Sequence, residues 1–284
     1  MQLHFLEGIA QFQSVTNLSD RVQSHLLQHE AEHNLLLALL LRWIEFPDRF
    51  PDPPRLAVVE ENGEILAIAF QTPPHKLVLS KCSQQEALTL IAEALAQHQI
   101  ALPGVSGLVA EADHFVQTWH QLTGQAFLLA MRLRIHQLVA VQPIAISPGE
   151  LRQATINDRP LLLKWYADLT QEAIPTFSED VARSVDNSLK AESIYLWEDS
   201  QPVSLVSGRK ALPAAGRIGP VYTPPEHRRK GYATACVAAL SQILLDRGCE
   251  RCFLFTDLTN PTSNHIYQTI GYQPLCDWHE YGEG

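Results

Sequence analysis

The chain has 284 residues, 46% of them hydrophobic and 18% charged, enough for one large or two ordinary globular domains with a sizeable core. Its 21 Lys and Arg face 31 Asp and Glu, a net charge of −10, which disfavours general binding to nucleic acid or an anionic membrane and mildly favours cationic amines. Residues 1–149 hold 8 basic against 14 acidic side chains and residues 150–284 hold 13 against 17, so neither half is a basic module.

In chain order, the periodicity first predicts one long helix from Leu18 to Ile44, with Asn17 or Ser19 as its cap and Pro47 beyond its end. Inside it lies His29-Glu30-Ala31-Glu32-His33, a formal H-E-x-x-H that would place two histidines on one helix face, as zinc peptidases need. No third ligand accompanies it, so a polar helix face is the expected reading and no metal is expected. Strands are predicted at Arg55 to Glu60 and Glu64 to Gln71, joined by the hairpin signal Asn62-Gly63, with a third at Leu77 to Leu79. A helix from Ser83 to His98 follows, then a strand at Gly107 to Ala110, a helix from Asp113 to Leu122 closed by Gly124, and a strand from Ala126 to Ile135. Leu138 to Glu150, with Pro143, Pro148 and Gly149, reads as a linker or crossing strand, which puts domains at 1–140 and 150–284.

The second half begins with a strand from Leu151 to Ile156. A helix capped by Asn157 or Asp158 runs to about Glu172, and another capped by Ser178, with Glu179 and Asp180 in its first turn, runs to about Ala191. Ser193 to Trp197 and Pro202 to Gly208 form a hairpin. Arg217 to Thr223 is the central strand, and a long helix from Tyr232 ends near Gly248. Arg251 to Thr256, Pro261 to Ile270 and Tyr272 to Asp277 read as strand, helix and strand. The five cysteines have no regular framework, and Cys249-Glu-Arg-Cys252 lacks a second pair for zinc, so a reducing cytosol and packing roles are expected. Met1-Gln-Leu-His is not the basic start of a signal peptide, and the longest apolar run, Leu35 to Leu41, cannot cross a bilayer. A cytoplasmic monomer or homodimer is the expectation.

The chemistry gathers between the central strand and the long helix, in Thr223-Pro-Pro-Glu-His-Arg228-Arg229-Lys230-Gly231-Tyr232-Ala233-Thr234. A basic loop closing on Gly and Ala at a helix start offers unpaired N–H groups, the positive end of the helix dipole and room for phosphate oxygens. It is not a Walker loop, because G-x-x-x-x-G-K-[ST] is absent. Arg228, Gly231 and Ala233 fit [RQ]-x-x-G-x-[GA] after a strand and before a helix, which resembles the GCN5-related N-acetyltransferases. Asn260, Ser263, Asn264, Tyr267, Gly271 and Tyr272 resemble that family's second motif, at a distance that suits one helix and one strand.

The resemblance covers about residues 150–284. It implies an α/β (α+β) fold with a mixed, mostly antiparallel twisted sheet flanked by helices. The loop, with Arg228, Arg229, Lys230, Gly231, Tyr232, Ala233 and Thr234, would hold the pyrophosphate of acetyl-CoA. The main chain at Val221 and Thr223 would face pantetheine and acyl group. Asn260 and Asn264 would contact the cofactor, although Asn260 can equally be a helix cap. Tyr267 would be the general acid that protonates the leaving thiolate. An acceptor amine with a pKa of about 10.4 must lose a proton, and Asp257, through water, ranks ahead of Glu226 and His227 for that task. The first two helices, around Trp165, Tyr166, Glu172 and Phe177, would set an acceptor that the sequence does not identify, a small molecule or a peptide amine. The first half has the same element order but offers Ser80-Lys81-Cys82-Ser83 where the loop should be, so it reads as a copy that lost its cofactor site. The expected activity is direct transfer of acetyl from acetyl-CoA to a primary amine. The rivals are a non-catalytic acyl-CoA sensor and, from His29 and His33, a zinc peptidase.

Overall fold

The computed structural model describes residues 1–50, 52–145, 147–173 and 180–283. The expected cap Ser178, its neighbour Glu179 and the acceptor-site candidate Phe177 lie outside them. In chain order the described elements are β1 (Gln2–Glu7), α1 (Gly8–Ser14), α2 (Leu18–Leu27), α3 (Asn34–Glu45), β2 (Arg55–Glu61), β3 (Glu64–Gln71), β4 (Leu77–Leu79), α4 (Gln85–Gln97), β5 (Gly104–Leu108), α5 (Val109–Thr123) and β6 (Leu128–Leu138). They continue as β7 (Glu150–Gln153), α6 (Arg159–Ala173), α7 (Val181–Lys190), β8 (Ile194–Glu198), β9 (Pro202–Lys210), β10 (Ala215–Tyr222), α8 (Tyr232–Asp246), β11 (Arg251–Asp257), α9 (Pro261–Ile270) and β12 (Gln273–Gly282).

The chain divides into two compact units, Met1–Ile135 with Asp257–Thr259 and Leu275–Gly284, and His136–Thr256 with Asn260–Pro274. Strict chain order would have given the last strand to the second unit. Instead β12 pairs antiparallel with β5, from Trp278 opposite Leu108 to Gly282 opposite Gly104, and its Trp278 indole donates to Ser106 Oγ at 2.7 Å. Gly104 tolerates this strand because a Cβ there would lie 2.1 Å from the Tyr281 carbonyl oxygen.

In the first unit the strands lie in the order β1-β2-β3-β4-β5-β12-β6. Asn62 and Gly63 both adopt left-handed backbone, with φ of 52° and 85°, as a tight hairpin with the right twist demands. The core beneath α4 and α5 collects Val59, Ala67, Leu79, Leu88, Ile91, Leu95, Phe115 and Trp119. The single helix expected from Leu18 to Ile44 is two, because residues 28–33 form turns. The His33 ring, bonded to the Leu26 carbonyl and to the Lys81 amide, fixes that break, a tertiary contact no helical periodicity reports. Asn17 is left-handed with φ of 59° and caps nothing through its side chain. Helix α5 starts at Val109, so the strand expected at Gly107 to Ala110 sits earlier, at β5. The first strand and helix, β1 and α1, had no sequence signal.

In the second unit the order is β11-β10-β9-β8-β7, all antiparallel except β10 with β11. Strand β7 stops at Gln153, short of the expected Ile156, where Thr155 and Asp158 bond reciprocally around a short turn that starts α6. Asp180 caps α7 by accepting from the Ala182 and Arg183 amides. One core, including Val206, Val237, Leu240, Leu244, Ile270 and Tyr272, lies under α8 and α9. A second, with Leu162, Trp165, Leu196, Leu205 and Tyr222, lies under α6 and α7. Each buried Val or Leu is worth about 1.5–3 kcal/mol, so both faces of this sheet are fixed firmly. Among the described residues no helix is long and apolar enough to cross a membrane.

Candidate active site

Strands β10 and β11 run parallel only from Ala215 opposite Arg251 to Arg217 opposite Phe253. Next, β10 is irregular between Ile218 and Val221 against β9, with Gly219 at φ 131° and Pro220 after it. Proline cannot donate to a ladder and glycine accepts the bend, so the register with β9 shifts at this point. Val221 and Tyr222 pair with β9 again, opposite Val206 and Leu205, and the Thr223 carbonyl accepts from Arg228 Nε at 2.8 Å. Ser204 orders the strand end, with its Oγ donating to the Tyr222 carbonyl at 3.2 Å and lying 2.8 Å from Thr223 Oγ1.

After the strand, Pro225, Glu226 and His227 make one 3-10 turn. Arg229 then takes left-handed backbone with φ of 62°, as does Gly231 with φ of 82°. Gly231 is the N-cap of α8 and has no side chain to fill the helix start. The first amides of a helix, here those of Tyr232, Ala233 and Thr234, have no partner within it, and the dipole adds roughly half a positive charge. Arg229 and Lys230 are exposed and make no ion pair among the described residues. Tyr232 turns inward and its hydroxyl donates to Asp199 Oδ2 at 2.6 Å, which raises its pKa and pins the helix start. Arg228 is occupied differently. Its Nε donates to the Thr223 carbonyl at 2.8 Å and its Nη2 to Glu172 of α6 at 2.6 Å.

Tyr267 lies on α9, 8% exposed, edge-on to Tyr272 with ring centroids 6.0 Å apart. Burial pushes its phenol up to about 12, so it stays protonated at neutral pH. Asn260 Oδ1 accepts from the Ser263 amide at 3.0 Å, the cap of α9. Asn264 Nδ2 donates to the Asn260 carbonyl at 2.9 Å and its Oδ1 accepts from Thr256 Oγ1 at 3.2 Å. Asp257 ends β11, and its Oδ1 accepts from both the Thr259 amide and Thr259 Oγ1 at 2.8 Å, the work of a turn-former. Trp165 and Tyr166 are buried in the core under α6, while Glu172 is exposed. The phenol of Tyr222 is raised by burial and then by the Glu172 and Asp168 carboxylates.

The H-E-x-x-H stretch is not a helix face. His33 is 1% exposed. Its Nε2 accepts from the Lys81 amide at 2.9 Å, so the ring proton is on Nδ1 and is donated to the Leu26 carbonyl at 2.9 Å. Among the described residues no group of three or more His, Cys, Asp or Glu is placed to hold a metal. The sequence reading missed four contacts, each made between residues far apart in the chain: Ser147 on the Lys230 carbonyl, Glu172 on Arg228, and His33 and Glu111 on the Lys81 and Cys82 amides after β4.

Residues 160–272 match the model of the acetyltransferase (GNAT) family. No curated protein matches the chain. Among solved structures, a Drosophila protein shares 12% identity over 94% of this chain and 95% of its own, with a TM-score of 0.70. A GCN5-related N-acetyltransferase from Sphaerobacter thermophilus shares 13% over 98% and 94%, with a TM-score of 0.61. A tandem GNAT protein from the clavulanic acid biosynthesis pathway shares 12% over 99% and 98%, also with a TM-score of 0.61. At these identities the likeness is one of fold, and it extends over both units.

Proposed function

We propose that the protein transfers an acetyl group from acetyl-CoA to a primary amine by direct attack in a ternary complex, since residues 160–272 match the model of the GNAT acetyltransferase family, whose co-substrate is acetyl-CoA. The observation that carries this reading is the uncapped, glycine-started helix α8 preceded by two exposed cations. Gly231 leaves the space, the amides of residues 231–234 the donors, and Arg229 and Lys230 the charge that a pyrophosphate requires.

Acetyl-CoA supplies an activated thioester, whose acyl carbon passes to the amine nitrogen as the C–S bond breaks. Val221 and Thr223 present main-chain groups to the amide-bearing arm and to the carbonyl oxygen that gains charge. Tyr267 holds its proton until that break and gives it to the sulfur. The proton the amine loses passes to water. Asn260 and Asn264 act by holding the start of α9, where Tyr267 is carried. The acceptor is an amine of small-molecule or peptide kind, met on the side of α6. The first unit keeps the fold without the cofactor site, so one cofactor binds per chain, in a cytoplasmic protein.

A panel of amines assayed by release of free CoA thiol tests this reading. Turnover with at least one amine class is expected, and binding of acetyl-CoA without turnover on any of them favours the sensor.

A further inference from the structure

The segment between β6 and β7 has the composition of a linker, yet residues 147–149 are built into the second unit. Ser147 is 7% exposed. The Pro148 carbonyl accepts from the Trp197 indole N–H at 2.8 Å. A Cβ at Gly149 would lie 2.2 Å from the Glu198 carbonyl oxygen, so the chain lies against β8 with no room to shift. From this anchored position Ser147 Oγ donates to the Lys230 carbonyl at 3.3 Å. The same Oγ would be 2.6 Å from a Cβ on Gly231, and the Ser147 Cβ 3.9 Å from it.

We propose that Ser147 is a positioning residue for the cofactor loop, fixing the Lys230–Gly231 peptide so that the Gly231 amide is aimed at the anion; this rests on the acetyl-CoA reading of that loop. A trans peptide is planar, with its C=O and N–H pointing opposite ways. Holding the Lys230 carbonyl inward therefore turns the Gly231 N–H outward. Without that bond the peptide can rotate, as residues with positive φ allow a glycine-flanked plane to do, and one donor of the nest is lost. The same contact explains why residue 231 has no side chain. Any Cβ would collide with the oxygen that sets the loop.

Calorimetric titration with CoA, beside the melting temperature of each variant, tests the proposal. Ser147→Ala is expected to keep its melting temperature within a few degrees and to bind CoA about three- to ten-fold more weakly, the worth of one hydrogen bond. In turnover the loss should appear in KM for acetyl-CoA rather than in kcat. Gly231→Ala in the wild-type background should weaken CoA more than about thirty-fold, since left-handed strain and the overlap act together. In the Ser147→Ala background the same change should cost at least about three-fold less, because only the 3.9 Å Cβ contact remains. Unchanged CoA affinity in Ser147→Ala, or costs that simply multiply in the double variant, overturns the role of Ser147. Wild-type protein that binds no CoA overturns the cofactor reading itself.

Discussion

Each unit has a strand, a loop and a helix at the same place in its fold, and the two loops are spent differently. After β10 the loop carries left-handed backbone at Arg229 and Gly231 before α8, whose start, like that of α4, has no side-chain cap. After β4 the loop has no glycine, and two of its amides are taken by side chains. The Lys81 N–H goes to His33 Nε2 at 2.9 Å, and the Cys82 N–H goes to the Glu111 carboxylate at 3.0 Å. Ser80 closes the remainder, its Oγ accepting from the Ile68 amide at 2.8 Å and donating to the Lys81 carbonyl at 3.0 Å. A buried carboxylate and a neutral imidazole thus satisfy in the first unit the kind of groups that a phosphate is proposed to satisfy in the second. The lesson is one of donor accounting. Buried amides must be paired, and whether a side chain or a ligand pairs them decides whether the fold keeps a site.

The sharpest way to extend the contrast is through the acid. Helix α9 of the second unit carries Tyr267, whereas α5 of the first has no tyrosine. Tyr267→Phe keeps the ring against Tyr272 and removes the donor, so kcat in single turnover should fall by about 10²–10⁴ while acetyl-CoA affinity is little changed. A variant equal to wild type from about pH 6 to 9 would make Tyr267 a packing residue.

The next effect is on stability and belongs to the closed loop. Burial lowers the His33 pKa from 6.5 to about 4, while the unfolded chain titrates near the ordinary value. The unfolded state therefore binds the proton first. The stability contributed by neutral His33 is full above about pH 6.5 and is lost as pH falls toward 4, by about 3 kcal/mol in all. In urea titrations the advantage of wild type over His33→Gln should shrink by that amount between pH 7 and pH 4. A constant difference would show that His33 is not held neutral by the loop.

The smallest effect has the opposite sign from an ordinary loss. Arg228 and Glu172 pair at 2.6 Å, with side chains 43% and 44% exposed. If pyrophosphate must compete with Glu172 for Arg228, Glu172→Gln should tighten CoA binding. Solvent screening at such exposure limits the gain to about two- to five-fold. Weaker binding in this variant would place Glu172 in support of the loop rather than in competition with it.

Much of the second unit was legible because its signals are local. Gly231 at a helix start, Asn260 before Pro261 and the spacing to Tyr267 are read within a dozen residues, and α9 falls where its pattern put it. What the sequence hid is long-range. Nothing near Ser147 points to Lys230. Nothing in the polar run from Gln28 to His33 says that one histidine will leave the helix to bond residue 81. The last strand reads as part of the second half, and only its register with β5 moves it to the first unit. Asp257 was legible as a carboxylate at a strand end, but not as the acceptor of two bonds from Thr259.

The central claim, that one loop is open to the cofactor and the other is closed by the protein's own side chains, is tested most directly by counting sites. Calorimetric titration of the full chain with acetyl-CoA should give one site per chain. Gly231→Glu, which puts a carboxylate where phosphate is proposed to lie, should abolish it with the fold intact, and Glu111→Gln should leave both its number and its affinity unchanged. Two equivalent sites, or one that survives Gly231→Glu and is lost in Glu111→Gln, would contradict the account.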